Sequence, residues 1–337
     1  MQNEIAQKVK LLDKEGRVIN PGYAKKMMYE YNREDIKAGP LAKKEWDFYQ
    51  IIIDNWVLKL TIGNISYVAQ FSAELFNVET KELYSFERMK LLPFESIQLP
   101  HSPEGASILQ VEGKDYMFLF DVCDDNRHFI VKGNDAKVGK VDIDIFINND
   151  TKNEKMVIAT PFEKKRKFYL NCKENYFGGT GRICFGDVCV DLNESATAVL
   201  DWGRGVWPFA QEWFWGNATA FVDGNKFGFN IGWGFGDLGN ASENMVFWNG
   251  RAYKLEHLIT EVDTNDYFKP WKFRDEEGNF EFTLTPIYDK IADTKIGFIQ
   301  MYCHQLFGRY DGYVVIDSKK IQINNMLAFC EHASNRW

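Results

Sequence analysis

Residues 140–148, KVDIDIFIN, alternate without a break. Val141, Ile143, Ile145 and Ile147 fall on one side, and Asp142 and Asp144 on the other. A period of two means a strand with one dry and one wet face, the pattern of antiparallel sheet. Such a strand needs neighbours of its own kind to satisfy its backbone donors and acceptors. The chain supplies them. The stretches 47–62 (DFYQIIIDNWVLKLTI), 66–78 (SYVAQFSAELFNV), 279–288 (NFEFTLTPIY) and 297–317 (GFIQMYCHQLFGRYDGYVVID) are rich in β-branched and aromatic residues. Turn signals punctuate them at Asp54-Asn55, Gly63-Asn64, Gly186-Asp187, Asp223-Gly224-Asn225 and Asn249-Gly250.

Two stretches read as helix. Asn20-Pro21-Gly22 opens AKKMMYEY with a cap and a first-turn proline, and Asn324 precedes NMLAFCEHA near the end. The predicted fold is therefore all-β, two consecutive antiparallel barrel- or sandwich-like units with a few peripheral helices. Its expected division is an arm and short helix over 1–40, a first unit over 41–176, and a second over 177–337 with a C-terminal helix. A chain of 337 residues suits two units better than one.

Charge narrows the partners. The net charge is −8 and the pI is near 5.3, which argues against a duplex-binding surface. The densest basic run, KKRK at Lys164–Lys167, reads as a solvated loop. The start lacks a basic segment followed by an apolar one, and no apolar run approaches the ~20 residues that span a bilayer. The expectation is a cytoplasmic protein with no nucleic-acid partner and no stable membrane insertion; its oligomeric state is left open. Six cysteines form no CxxC pair, and no HxH or HExxH run is present, so neither metal nor cofactor is expected. Cys184 and Cys189 flank the turn at Gly186 and face each other across a hairpin; in that compartment they are expected as reduced thiols.

The candidate site is the run 201–215, DWGRGVWPFAQEWFW. Six of the ten tryptophans fall between 202 and 248. Indole is an expensive way to fill a core, because its N–H wants a partner. Aromatic rings around one carboxylate and one guanidinium suggest a pocket for an apolar ligand with a polar handle; the competing reading is a structural corner. The pocket reading makes Asp201 the acid or base and Arg204 its orienter, with Trp202, Trp207, Trp213, Trp215 and Trp233 as walls. Glu243 stands past a glycine-rich strand (Gly228, Gly232, Gly234, Gly236) beside Asp237, a second carboxylate rim. His304, in a strand, is placed at the ligand.

The motifs LLDKEG, EWDFY (45–49), DWGRGVWP (201–208), WFW (213–215), GFGD (234–237), ENMVFWNG (243–250), LFGRYDG (306–312) and the closing NRW resemble those of the domain of unknown function 2804 family. The resemblance covers nearly the whole chain and carries no activity by itself. It implies a fold similar to the two-barrel, calycin-like group that includes carotenoid 1,2-hydratase, the AttH proteins and certain pericyclase-type enzymes. Where that wider group often has an Asp-Arg-Glu-Trp run, this chain has Asp201-Trp202-Gly203-Arg204. Three functions stay open. The first is a hydratase- or cyclase-like lyase or isomerase acting on a hydrophobic small molecule. The second is a non-catalytic lipid or isoprenoid carrier. The third is a carbohydrate-active enzyme using Glu243 with Asp237 or Asp201.

Overall fold

The computed structural model describes residues 2–297 and 299–336; Trp337 of the NRW motif lies outside them. The chain forms two compact units, residues 4–207, and residues 208–336 with Gln2 and Asn3. The expected break at 176–177 instead falls at the end of the strand Phe168–Phe177, which pairs along its whole length with Thr197–Val206. Cutting there would separate a pair of strands that share one ladder, so the units divide after Trp207.

The first unit holds two large sheets and a short parallel pair, Val9–Lys10 with Tyr29–Glu30. In the eight-stranded sheet the order is Gly22–Ala24, Met156–Pro161, Phe168–Phe177, Thr197–Val206, Lys44–Ile53, Trp56–Asn64, Val68–Asn77, Leu83–Leu91. The six-stranded sheet runs Val188–Leu192, Gly179–Phe185, Gly139–Asn148, Asn126–Asp135, Tyr116–Val122, Ser107–Gly113. Their inner faces share one apolar core, in which Tyr49 meets Phe120 and Phe129 and Phe86 stacks on Phe118. Val141, Ile143, Ile145 and Ile147 all point into it, as their alternation requires.

The second unit is one nine-stranded antiparallel sheet. Its order is Arg251–Lys254, Met245–Trp248, Asn225–Trp233, Ala210–Val222, Lys319–Arg336, Ile299–Ile316, Phe280–Ile296, Trp271–Arg274, Ile259–Glu261. The sheet curls, so that Phe229 of the third strand touches Phe280 and Phe282 of the seventh. Their rings, with Phe227, Phe273 and Tyr310, fill the concave side.

Neither expected helix forms. Among the described residues the helical turns are two short 3-10 segments, Arg33–Asp35 and Phe94–Ser96. After Pro21 the chain instead makes the strands Gly22–Ala24 and Tyr29–Glu30. Met27, Tyr29 and Tyr31 are buried while Lys26 and Glu30 are exposed, a period of two. Gly22–Ala24 closes the edge of the ladder beside Met156–Pro161, and that pairing outweighs a modest helix propensity. NMLAFCEHA lies inside the strand Lys319–Arg336, which is hydrogen-bonded on both sides. The turns at Asp54, Asp223 and Asn249 adopt the positive φ that tight hairpins demand, whereas the turn expected at Gly63-Asn64 is displaced to Ser66. Cys184 and Cys189 are joined in a disulfide and are not free thiols; the hairpin register sets them directly opposite each other.

Lys44 carries a pH dependence. Its ammonium is buried over the Tyr67 ring and donates to the carbonyls of Ile65 and Leu41. Burial, with Lys167 nearby, pushes it down to about 7 from an ordinary 10.5. Between those values the unfolded chain binds the extra proton, so stability rises with pH across this window. Lys254, pushed by burial to about 7, adds to the trend. Urea midpoints should therefore climb from neutral toward alkaline pH, and Lys44→Met should flatten part of that slope. An unchanged slope in the variant would contradict the assignment.

Candidate functional site

The strand Thr197–Val206 settles how Asp201 and Arg204 relate. Successive side chains on a strand point to opposite faces, so residues three apart do too. Asp201 does not pair with Arg204. Its carboxylate takes the Lys173 ammonium at 2.7 Å, directly across the ladder, and the Tyr169 hydroxyl at 3.4 Å. Arg204 points the other way, with Trp202, toward the core. Its guanidinium lies 4.1 Å from the Trp202 ring and is fully buried. It donates to Asp47 Oδ1 (2.8 Å) and to the carbonyls of Trp46 (2.7 Å), Gly203 (2.9 Å) and Pro100 (2.8 Å). A guanidinium so occupied has no donor left for a substrate. Nearby, Arg33 and Glu45 pair at 2.8 Å and line a cleft of about 70 Å³, far below the several hundred Å³ that a drug-sized ligand fills.

The tryptophans are divided between the two units. Trp202 and Trp207 are buried in the first unit, Trp207 against Trp46 and Tyr169. Trp213, Trp215 and Trp233 belong to the second. There the WFW run splits across the sheet. Trp213 and Trp215 face away from the unit's core, donating to Glu331 (3.2 Å) and Asn230 (2.7 Å). Phe214 faces the core side and stacks on Trp233 at 4.8 Å. Glu243 is buried in the second unit, against Gly232. A Cβ at Gly232 would meet its Cβ at 3.0 Å and its Oε2 at 3.1 Å, so a carboxylate side chain takes the space left by that glycine. Asp201 and Glu243 thus belong to different compact units.

A different constellation forms on the concave side of the second unit, at one end of its core. A single cross-strand row runs Trp233, Phe214, His332, His304, Ile291, each residue directly opposite the next. Three rings of the row lie parallel: Phe214 stacks on Trp233 within 3° and on His332 (4.2 Å, 5°). His304 Nδ1 meets Asp289 Oδ2 at 2.6 Å, and its Nε2 meets the Tyr302 hydroxyl at 2.7 Å. His332 Nδ1 meets the Tyr267 hydroxyl at 2.7 Å, and its Nε2 meets Glu212 Oε1 at 2.8 Å. Tyr267 also stacks on His304 at 4.0 Å, tying the two chains together. Each imidazole is therefore held between a carboxylate and a phenol.

Local backbone explains how these groups meet. Tyr302 and His304 are two apart on one strand and share a face. Asp289 would face the wrong way in a regular strand, because Leu284, five residues earlier, points into the core. A bulge between Pro286 and Tyr288 inserts one residue and reverses the parity, so Asp289 opposes core-facing Leu306.

The hydrogen-bond partners assign the proton positions, since a carboxylate only accepts. Burial, with the charges of Asp289 and Glu212 among the smaller causes, pushes the Tyr267 phenol up to about 12. Tyr267 therefore keeps its proton at neutral pH and donates it to Nδ1 of His332, whose Nε2–H donates to Glu212. His304 takes the opposite tautomer when neutral, giving Nδ1–H to Asp289 and accepting the Tyr302 proton at Nε2. Asp289 Oδ1 and Trp271 Nε1 are buried without a hydrogen-bond partner among the described residues. Such orphans in an otherwise satisfied cluster mark places where a ligand or water belongs. Of the residues singled out from sequence, His304 and Trp233 stand in this cluster. No site role was assigned to Asp289, Tyr302, Tyr267 or His332, nor to Glu212 and Phe214, which lie within the run 201–215.

Fold and site together define a mostly antiparallel β protein of two units, with a cluster of imidazoles, carboxylates and phenols at one end of the second. The chain belongs to the family described as domain of unknown function (DUF2804), whose model matches residues 2–337. No curated protein matches it in sequence. It is similar in structure to CghA with Sch210972 (TM-score 0.51, 10% identity, covering 98% of this chain and 97% of that one). It is also similar to a protein assigned as AttH from Nitrosomonas europaea (TM-score 0.50, 11% identity, 91% and 96% covered). Kievitone hydratase from Nectria haematococca gives a TM-score of 0.48 at 15% identity over 90% of this chain and 92% of that one. At these identities the likeness is one of fold. Among the described residues no helix is long and apolar enough to cross a membrane.

Proposed function

We propose that this protein is a hydratase- or cyclase-type enzyme that moves a proton onto an apolar, unsaturated small molecule at the His304–His332 cluster. One observation carries this reading: two carboxylate–imidazole–phenol chains share a single row with Phe214 and Trp233, at the end of an apolar core. Imidazole is the group best suited to give and take protons near neutral pH. Flanking π faces steady a developing cation.

In the proposed cycle His304 acts in its doubly protonated form, with Nδ1–H donating to Asp289. Its Nε2 proton passes to the Tyr302 oxygen as the Tyr302 proton passes to one alkene carbon. Water adds to the neighbouring carbon and returns a proton through Tyr302 to His304. One water is added across the double bond, and the protein is unchanged. Capture by an internal nucleophile of the substrate in place of water gives a ring instead. Asp201 and Arg204 keep structural roles in this scheme.

The test is incubation of the purified chain with the apolar fraction of extracts from its source cells, in heavy water. Turnover in excess over protein, with deuterium on carbon, supports the enzyme. Stoichiometric retention of one compound without deuterium uptake would make the chain a carrier.

A further inference from the structure

The loop 262–270 leads from the strand Ile259–Glu261 to Trp271–Arg274. Its hydrogen bonds close on itself. Asp263 accepts from the backbone of Asn265 and from the Lys269 ammonium, Asp266 accepts from the backbone of Phe268, and Asp266 and Lys269 close backbone turns. Tyr267 is the exception, since its hydroxyl reaches out of the loop to His332. Its ring lies on His304 with 18° between the planes, covering the imidazole that the proposed chemistry uses. Its neighbour Phe268 is exposed, as is Ile291, which sits beside His304 in the row. An apolar landing surface thus borders a catalytic group that a single loop residue caps.

We propose that Tyr267 holds the place of the substrate's own ring, so that the ligand of this cluster is a planar ring bearing a hydroxyl, a phenol or an enol, which displaces Tyr267 on entry. This rests on the reading of the cluster as an acid–base site and adds the ligand's chemical class. The contacts Tyr267 makes are those such a ring would inherit: a hydroxyl on His332 Nδ1 at 2.7 Å and a face on His304 at 4.0 Å. The two orphaned atoms describe the rest of the ligand. Trp271 Nε1, on a fully buried indole whose ring is 6.1 Å from that of Tyr267, calls for an acceptor such as a carbonyl. Asp289 Oδ1 calls for a second hydroxyl or a water carried in with the ring.

The probe is p-cresol, with toluene as the control that lacks the hydroxyl, titrated calorimetrically into the full chain. Tyr267→Ala vacates the place. It should bind p-cresol about tenfold more tightly than the wild type does, and about tenfold more tightly than it binds toluene, the ratio one buried hydrogen bond supplies. Adding His332→Leu, which leaves no acceptor for the hydroxyl, should erase the preference for p-cresol over toluene. In the wild type, p-cresol must expel Tyr267, so amides of 263–269 should exchange faster with p-cresol and not with toluene. That measurement decides the matter even if Tyr267→Ala does not fold. Equal affinities for the two probes, or unchanged exchange at saturating p-cresol, would overturn the proposal. Loss of turnover in His304→Gln alongside no phenol preference would remove the ligand class and leave the acid–base reading in place. Phenol binding without turnover would do the reverse.

Discussion

Arg204→Leu is expected to lower the stability of the first unit by about 3–5 kcal/mol, the usual cost of removing one partner from a buried ion pair. Leucine fills some of the volume, so the loss is electrostatic. Asp47 stays behind, buried, and the carbonyls of Pro100, Trp46 and Gly203 lose their donor. Burial already raises the Asp47 carboxyl, and Arg204 is the main influence pulling it back. Without the guanidinium that carboxyl rises further, and the folded variant holds a proton that its unfolded chain releases. The deficit should therefore shrink as pH falls toward the acid range, which is the sign linkage requires. Arg204→Lys should not rescue, because one ammonium cannot reach acceptors spread over a fork. Adding Asp47→Leu to Arg204→Leu should recover much of the loss. Urea unfolding of the three variants at neutral and mildly acid pH checks all of this. A pH-independent deficit would sink the explanation.

His304→Gln is expected to reduce turnover by about 10²–10⁴-fold, the range for losing a positioned acid–base group. Glutamine keeps a polar end that can still meet Asp289 and Tyr302, so the fold should survive and the thermal midpoint should move little. Asp289→Asn should cost less, because it leaves the imidazole and gives its Nδ1 a neutral partner in place of a charged one. The loss should fall on turnover, with the unfolding midpoint near that of the wild type. A purely structural role for Asp289 would lower stability and leave turnover per folded molecule unmoved.

Much of the fold was legible because the β signal is local. KVDIDIFIN, the Asn249-Gly250 turn and the Asp223-Gly224 turn all announce themselves within a few residues. The two helix expectations failed for one physical reason: propensity is a local quantity, whereas Gly22–Ala24 and Lys319–Arg336 are strands because a ladder waits beside each. The second failure also hid the site. His304 stands 13 residues before Asp317 and His332 stands 14 after Ser318, so a hairpin turning there sets them face to face. The odd residue is absorbed where the register shifts between Tyr310 and Gly312. Reading 325–333 as helix broke that correspondence. The strand parity that separates Asp201 from Arg204 shows only once the whole segment Thr197–Val206 is a strand, which its mix of glycine and tryptophan does not announce. The re-aiming of Asp289 by a bulge, and the arrival of Tyr267 from a loop, are long-range events that no short window contains.

In the proposed function protons move at His304 and not at Asp201. The direct test compares Asp201→Asn and His304→Gln for deuterium transfer from heavy water to the substrate carbon, with the fold of each checked by its unfolding midpoint. Near wild-type transfer is expected in Asp201→Asn, and transfer reduced by about 10²–10⁴-fold in His304→Gln. Abolished transfer in a folded Asp201→Asn, with His304→Gln near the wild-type level, would contradict the proposal.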